Sequence, residues 1–259
     1  MDKLQNLNKI LKEYKKVCIA YSGGTDSDFL LNAAVKCLGK ENVLAIIGNG
    51  IMLSRKDYDD AVRLAKKSGA DYEVIDVDAF AAEEFVMNRR ERCYFCKKNI
   101  MSALIKKAAE KGFDIVCDGK NTDDAKVFRP GAKAAAELGL KSPLYEAGFS
   151  KSEIRSCSKE MGCETWDKKS NSCLATRFPY DTHLTKEMFE KAEKAELAVF
   201  NKGYMGARVR VHDDIARVEI AKDDFERFIK DEELIKEIKN VGFKYVTLDL
   251  EGFRSGSMD

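Results

Sequence analysis

The stretch Val17-Cys18-Ile19-Ala20-Tyr21-Ser22-Gly23-Gly24-Thr25-Asp26-Ser27 decides the fold. Its first five residues are an apolar run of strand length. The two glycines let the backbone turn sharply and come close to a ligand. Helical apolar spacing follows over residues 26–38, so the run reads as strand, tight turn and helix. In that order the free N–H groups and the positive dipole end of the helix face the turn. The hydroxyls of Ser22 and Ser27 add donors, and such a nest suits pyrophosphate. No Gly-Lys-Ser/Thr follows, so this is not a Walker A loop, and the dinucleotide pattern Gly-x-Gly-x-x-Gly is absent as well.

Working outward, strand-like segments at 43–47, 72–77 and 115–117 alternate with helical ones at 54–68 and 97–111. Ser54 with Asp57 three residues on opens one helix, and Gly112 closes the next. This β-α-β-α alternation predicts a parallel sheet with helices on its faces. The run Ser150-Lys151-Ser152-Glu153 is a capping box that opens a helix over 150–161, with Gly162 at its C-terminal cap. After the fourth strand comes Asp118-Gly119-Lys120-Asn121-Thr122-Asp123-Asp124, at the carboxyl edge where open parallel sheets bind ligands. Asp123 or Asp124 is placed to hold Mg2+ on bound phosphates, the alternative being an acidic loop exposed to water. The alternation lapses near 179–185. Beyond it a helix (185–200), two strands around Asp213-Asp214 (207–211 and 215–220), a helix (223–239) and a strand (243–250) make a small α+β unit. The expected domains are therefore 1–180 and 181–259.

Of 259 residues, 45 are Lys or Arg and 44 Asp or Glu, a net charge of +1 that argues against a nucleic-acid coating protein. Only His183 and His212 are present, which excludes a His-rich zinc site and disfavours a Ser-His-Asp triad. No stretch approaches about 20 consecutive apolar residues, so no membrane span is expected. Residues 1–16 read as an amphipathic helix without a signal-type apolar block. The expectation is a cytoplasmic protein whose eight cysteines stay reduced unless they bind metal or react.

Cys18 and Cys117 fall in apolar strands and read as core residues. Cys37, Cys157 and Cys163 read as structural, the last two as reserve ligands. Cys93-Tyr94-Phe95-Cys96 opens a helix, and Cys173 lies in the polar loop Asn171-Ser172-Cys173-Leu174-Ala175-Thr176-Arg177. A Cys-x-x-Cys pair alone fits a redox pair, half a zinc site or part of an iron–sulfur site. The second pair usual for zinc is missing, and so is a thioredoxin-like context. Three cysteines on a four-iron cluster leave one iron open to sulfide or substrate. A cluster on Cys93, Cys96 and Cys173 is the expectation. A reactive or sacrificial Cys173 without a cluster stays open, as does zinc or no metal.

The Ser22-Gly23-Gly24-x-Asp26-Ser27 loop resembles that of the PP-loop ATP pyrophosphatases, which cleave ATP between its α and β phosphates and transfer AMP to a substrate oxygen. Further blocks extend the likeness over nearly the whole chain: Arg129-Pro130-Gly131, Ser142-Pro143-Leu144, Trp166-Asp167-Lys168, Cys173-Leu174-Ala175-Thr176-Arg177-Phe178-Pro179-Tyr180, Arg208-Val209-Arg210-Val211, Ala216-Arg217-Val218-Glu219 and Gly252-Phe253-Arg254-Ser255-Gly256-Ser257-Met258. With them the sequence resembles the LarE family of ATP-dependent sulfur transferases. Lys169, where the family pattern has proline, and Asp181, where it has glycine, depart from it.

The resemblance implies an α/β fold, a parallel-sheet PP-loop (adenine nucleotide alpha hydrolase-like) domain with a small C-terminal α+β domain for substrate binding or oligomerisation. It implies ATP with Mg2+ held by Ser22, Gly23, Gly24, Asp26, Ser27 and Asp123, and a [4Fe-4S] cluster on Cys93, Cys96 and Cys173. The substrate would be a small pyridinium nucleotide whose carboxylate is adenylated and then thiolated, in nickel-pincer nucleotide cofactor biosynthesis. Some members give up the sulfur of the cysteine matching Cys173, and others carry sulfide on a cluster. The added Cys93-x-x-Cys96 pair points to the second type. Arg208 and Arg210, two apart on one strand face, suit a substrate phosphate. Arg177 and Glu196 join them as substrate-site expectations, and Arg217 and Arg254 are further candidates. Sulfide or another sulfur donor is a required partner, and a homo-oligomer is expected by analogy. The rival readings are tRNA uridine thiolation, disfavoured by the charge balance, an amide-forming synthetase, disfavoured by the cysteines, and a non-enzymatic metal carrier, disfavoured by the phosphate loop.

Overall fold

The computed structural model describes residues 2–126, 130–169, 171–254 and 257–258. In chain order the first elements are α1 (Lys3–Tyr14), β1 (Val17–Ala20), α2 (Thr25–Leu38), β2 (Val43–Asn49), α3 (Arg55–Ser68) and β3 (Asp71–Asp76). Then come α4 (Glu83–Val86), α5 (Arg92–Glu110), β4 (Val116–Cys117), α6 (Pro130–Glu137), α7 (Pro143–Glu146) and α8 (Lys151–Glu160). The last are α9 (Lys186–Asn201), β5 (Arg208–His212), β6 (Ile215–Glu219), α10 (Phe225–Ile229), α11 (Glu232–Asn240) and β7 (Tyr245–Leu248). The chain divides into two compact units, one of residues 1–82 and 91–170, the other of 83–90 and 171–259.

The first unit is built on an all-parallel sheet in the order β3-β2-β1-β4. The inner strands β1 and β2 are apolar on both sides because both faces are covered, whereas the edge strand β3 carries Asp71, Glu73 and Asp76. On β1, Val17 and Ile19 join a core with Leu7, Leu11, Phe29, Leu30 and Leu31, drawn from α1 and α2. Cys18 points the other way into a core with Leu44, Ile46, Met101 and Leu104, the last two from α5. Cys18 and Cys117 are fully buried, as their apolar surroundings require. The short β4 pairs only through Cys18↔Val116 and Ile19↔Cys117. The Ser150–Glu153 capping box forms at the start of α8.

The second unit holds a three-stranded sheet, β5-β6-β7, with β5 and β6 antiparallel and β6 and β7 parallel. The helix expected over 223–239 is two, because Asp231 caps a new start by accepting from the Leu234 amide. The division of the chain differs from the expected 180/181. Residues 171–180 and the earlier segment Glu83–Arg90 both group with the second unit. The physical reason is local pairing: Leu184 N donates to Val86 O, Asn88 Nδ2 donates to the carbonyls of Phe178 and Pro179, and Phe85 stacks on Phe189.

Candidate active site

The phosphate loop sits at the carboxyl end of β1 in the first unit. Gly23 has φ +67, and a methyl group there would lie 2.8 Å from Ala61 Cα, so only glycine fits. Gly24 is the N-cap of α2 and no side chain caps that end, leaving the helix entrance open to an anion. The Ser27 hydroxyl donates to Gly24 O at 3.1 Å, accepts from Ser22 N at 3.3 Å and lies 3.1 Å from the Ser22 hydroxyl. Behind the loop, the buried Asp28 carboxylate accepts from Tyr21 Oη at 2.9 Å and Thr165 Oγ1 at 2.7 Å.

Asp26 and Asp123 are brought together by one residue. Lys151 donates through its ammonium to Asp26 Oδ2 at 2.6 Å and through its backbone N–H to Asp123 Oδ2 at 2.9 Å. Burial pushes the Asp26 carboxyl up, against the pull of the Lys151 charge. Asp26 Oδ1 is buried with no hydrogen-bond partner among the described residues. A half-buried carboxylate with one unsatisfied oxygen is chemically suited to a hard cation such as Mg2+, and Asp123 meets the same lysine. The Asp118 loop closes on this corner: a methyl group at Gly119 would lie 3.0 Å from Ser27 N, and Asp118 Oδ1 accepts from Ser142 Oγ at 2.8 Å. Asn121 Oδ1 accepts from the backbone N–H of Asp123 at 2.9 Å. Lys151, Ser142 and Thr165 were not singled out by sequence, where only the capping box and the Ser142-Pro143-Leu144 block hinted at the first two.

In the second unit Arg177 is fully buried. Its guanidinium makes a two-point pair with Glu196 at 2.6 and 3.0 Å. It also donates to Ser172 Oγ, Thr176 Oγ1, Cys173 O and Asn171 Oδ1. Glu196 Oε1 accepts from Val209 N at 2.9 Å. The Cys173 loop is thus organised from inside by Arg177, and Cys173 Sγ accepts from Ala175 N at 3.4 Å. Arg210 Nη1 donates to Thr176 O at 2.8 Å, which sets β5 against the same loop. Arg210 and Arg217 share the buried Glu219 carboxylate, at 2.9 and 3.5 Å. Ser257 Oγ completes that cluster, accepting from Arg210 Nη2 and donating to Glu219. Arg208 lies over the Phe253 ring, 5.1 Å from its centroid, and Arg254 pairs with Glu251.

Cys93 and Cys96 stand in the first turns of α5, which begins at Arg92 rather than at residue 97. Cys93 is exposed and Cys96 buried. They belong to the first unit and Cys173 to the second. Among the described residues no group of three or more His, Cys, Asp or Glu side chains is arranged to hold a metal ion. The donor chemistry of these free thiols suits an iron–sulfur cluster. The remaining thiols are quiet: burial pushes Cys18 up to about 12, Cys163 up to about 11 and Cys117 well above the usual thiol range.

A Ser-Gly-Gly-x-Asp-Ser turn between a central parallel strand and a helix defines the first unit as a PP-loop ATP pyrophosphatase domain. The sequence model of the NAD synthase family matches residues 3–109, which run from α1 through most of α5. The pyridinium-3,5-bisthiocarboxylic acid mononucleotide synthase of Lactiplantibacillus plantarum is 36% identical over 250 residues, covering 96% of this chain and 91% of the relative. Uncharacterized proteins of Synechocystis sp. and Methanocaldococcus jannaschii are 37% and 35% identical, covering 99% and 98% of this chain and 97% and 98% of their own. The chain belongs to the LarE family of ATP-dependent sulfur transferases. Among the described residues, no helix is long and apolar enough to cross a membrane.

Proposed function

We propose that this enzyme uses ATP to adenylate a carboxylate of a pyridinium mononucleotide and then replaces the activated oxygen with sulfur, a step in building the nickel-pincer nucleotide cofactor. The observation that carries the reading is the phosphate corner, where the Ser22–Ser27 loop, Asp26 and Asp123 converge through Lys151. The Lactiplantibacillus relative, a pyridinium-3,5-bisthiocarboxylic acid mononucleotide synthase, supplies the substrate class.

In this reading the N–H groups at the entrance of α2 and the Ser22 and Ser27 hydroxyls hold the β and γ phosphates of ATP. Asp26 and Asp123 would hold Mg2+, which when bound supplies charge neutralisation on the phosphates. The substrate carboxylate attacks the α phosphorus, the α–β bridge breaks, and pyrophosphate leaves on the loop's donors. A sulfur nucleophile presented at Cys173 attacks the acyl carbon of the adenylate. The carbon–oxygen bond to AMP breaks, giving thiocarboxylate and free AMP. Arg208 and Arg210 take the substrate phosphate. Arg177 and Glu196 hold the Cys173 loop in shape for that attack.

Cys93, Cys96 and Cys173 would hold the [4Fe-4S] cluster. When bound, the cluster would supply an iron without a protein ligand, able to carry sulfide. Small-molecule acceptors suit the near-zero net charge better than tRNA does. Reduced thiols throughout fit a cytoplasmic setting, and a homo-oligomer fits the family.

The test supplies Mg2+, ATP, sulfide and the dicarboxylated pyridinium mononucleotide to anaerobically prepared protein. Pyrophosphate release that depends on the pyridinium substrate, with one oxygen exchanged for sulfur in the product by mass spectrometry, supports the reading. Pyrophosphate release with ammonia incorporated instead would move the enzyme to the amide-forming class.

A further inference from the structure

Lys168 has no part in the reaction above, yet its ammonium reaches the phosphate loop from 145 residues away in sequence. Its Nζ donates to Gly23 O at 3.3 Å. It is held there by two carboxylates at the start of α3, Asp57 at 3.3 Å and Asp60 at 3.7 Å. Asp57 is itself buried and fixed, because its Oδ2 accepts from Ser54 Oγ at 2.7 Å and its N–H donates back to that hydroxyl. Its own segment is pinned to α2 as well: Thr25 Oγ1 donates to Thr165 O and Thr165 Oγ1 to Asp28, both at 2.7 Å. The backbone carbonyl of Lys168 accepts from Arg155 at 3.0 Å.

The consequence lies in the peptide between Gly23 and Gly24. Among the described residues there are no cis peptide bonds, so the Gly23 carbonyl and the Gly24 N–H point in opposite directions. Glycine at φ +67 is permissive, and a Gly-Gly peptide can flip at little cost. Flipped, it would present a carbonyl oxygen where the loop needs a donor, and repel phosphate. The ammonium biases the peptide toward one orientation through a charge-assisted hydrogen bond.

We propose that Lys168 is a positioning residue of the pyrophosphate site: it holds the Gly23 carbonyl on the α3 side and thereby turns the Gly24 N–H toward the phosphates. This rests on the reading of the loop as the pyrophosphate site. A positive charge with several N–H donors suits the task because it can bind one carbonyl and two carboxylates at once.

Calorimetry on the full chain with Mg2+-pyrophosphate and, separately, AMP tests it, using wild type, Lys168→Met and Lys168→Arg. Thermal melts of all three run alongside. Lys168→Met is expected to weaken pyrophosphate roughly tenfold, the size of one charge-assisted hydrogen bond, while AMP changes less than about twofold. Lys168→Arg should recover most of the pyrophosphate affinity. Lys168→Gln, which keeps a donor and loses the charge, serves if the methionine variant does not fold, with an intermediate loss expected. Equal pyrophosphate affinity in Lys168→Met and wild type overturns the proposal. So does a parallel loss of AMP binding, or an arginine variant no better than methionine, since either marks a merely structural lysine. A wild-type protein that binds no pyrophosphate sinks the reading of the loop itself, and this proposal with it.

Discussion

Arg177 and Glu196 form a buried two-point ion pair, and the same guanidinium holds the carbonyl of Cys173. The pair ties α9 to the cysteine loop, while the second lone pair of Glu196 Oε1 ties both to Val209 at the start of the small sheet. Removing one member of a buried pair strands the other. Arg177→Ala is therefore expected to cost about 3–5 kcal/mol of stability, with Glu196→Gln milder because its oxygen still accepts. Urea denaturation measures this. A loss below about 1 kcal/mol with substrate binding abolished would make Arg177 a substrate ligand instead.

Gly23 carries the second prediction. Gly23→Ala forces a side chain into φ +67 and against the Ala61 backbone. We expect nucleotide binding to be lost while the parallel sheet stays folded, with a stability cost of about 1–3 kcal/mol. Adding Ala61→Gly should not restore binding, because it removes the Ala61 Cβ but leaves its Cα, which is the nearer clash. Recovery of ATP binding in the double variant would show that the loop tolerates a different path.

The buried thiols predict an alkaline limit. Burial pushes Cys18 from 9.0 up to about 12, so folding keeps a proton that the unfolded chain releases above pH 9. Stability is then full below about pH 9 and falls as pH rises, by about 1.4 kcal/mol per pH unit for each such thiol. Cys117 is shifted in the same direction and adds to the slope. Urea titrations between pH 8 and 11 should show this fall, and Cys18→Ala should fall less steeply than wild type. Identical slopes would remove Cys18 as a source.

How much was legible beforehand depended on distance along the chain. The loop at 17–27 could be read because strand, glycines and helix are contiguous, and the capping box at Ser150 for the same reason. Lys151 and Lys168 could not, since their partners Asp26 and Gly23 lie 125 and 145 residues away. The segment Glu83–Arg90 carries no mark of its attachment to Phe178 and Phe189, which is made by packing and by carbonyls. The break between α10 and α11 was hidden because Asp231 fits a continuous amphipathic pattern as well as it fits a cap. The burial of Arg177 was equally unreadable from a polar loop. The Arg129 and Ser255-Gly256 parts of the quoted blocks lie outside the described residues.

The last prediction separates the two sulfur routes. If Cys93, Cys96 and Cys173 act together as iron ligands, each is equivalent in kind, although Cys93 is exposed, Cys96 buried and Cys173 half-buried. Replacing any one by alanine should then lower iron content, acid-labile sulfide and sulfur transfer together. Cys157→Ala and Cys163→Ala should change none of them by much, since both thiols are pushed up by burial and resist becoming thiolate ligands. The protein would keep all its own sulfur through repeated turnover when sulfide is supplied. The sacrificial route predicts the reverse: one turnover per chain, loss of one sulfur's mass at Cys173, and full activity in Cys93→Ala and Cys96→Ala. Intact-protein mass spectrometry after turnover, read beside the iron content of the three alanine variants, decides between them. A Cys173 that loses its sulfur while the Cys93 and Cys96 variants stay active would refute the cluster.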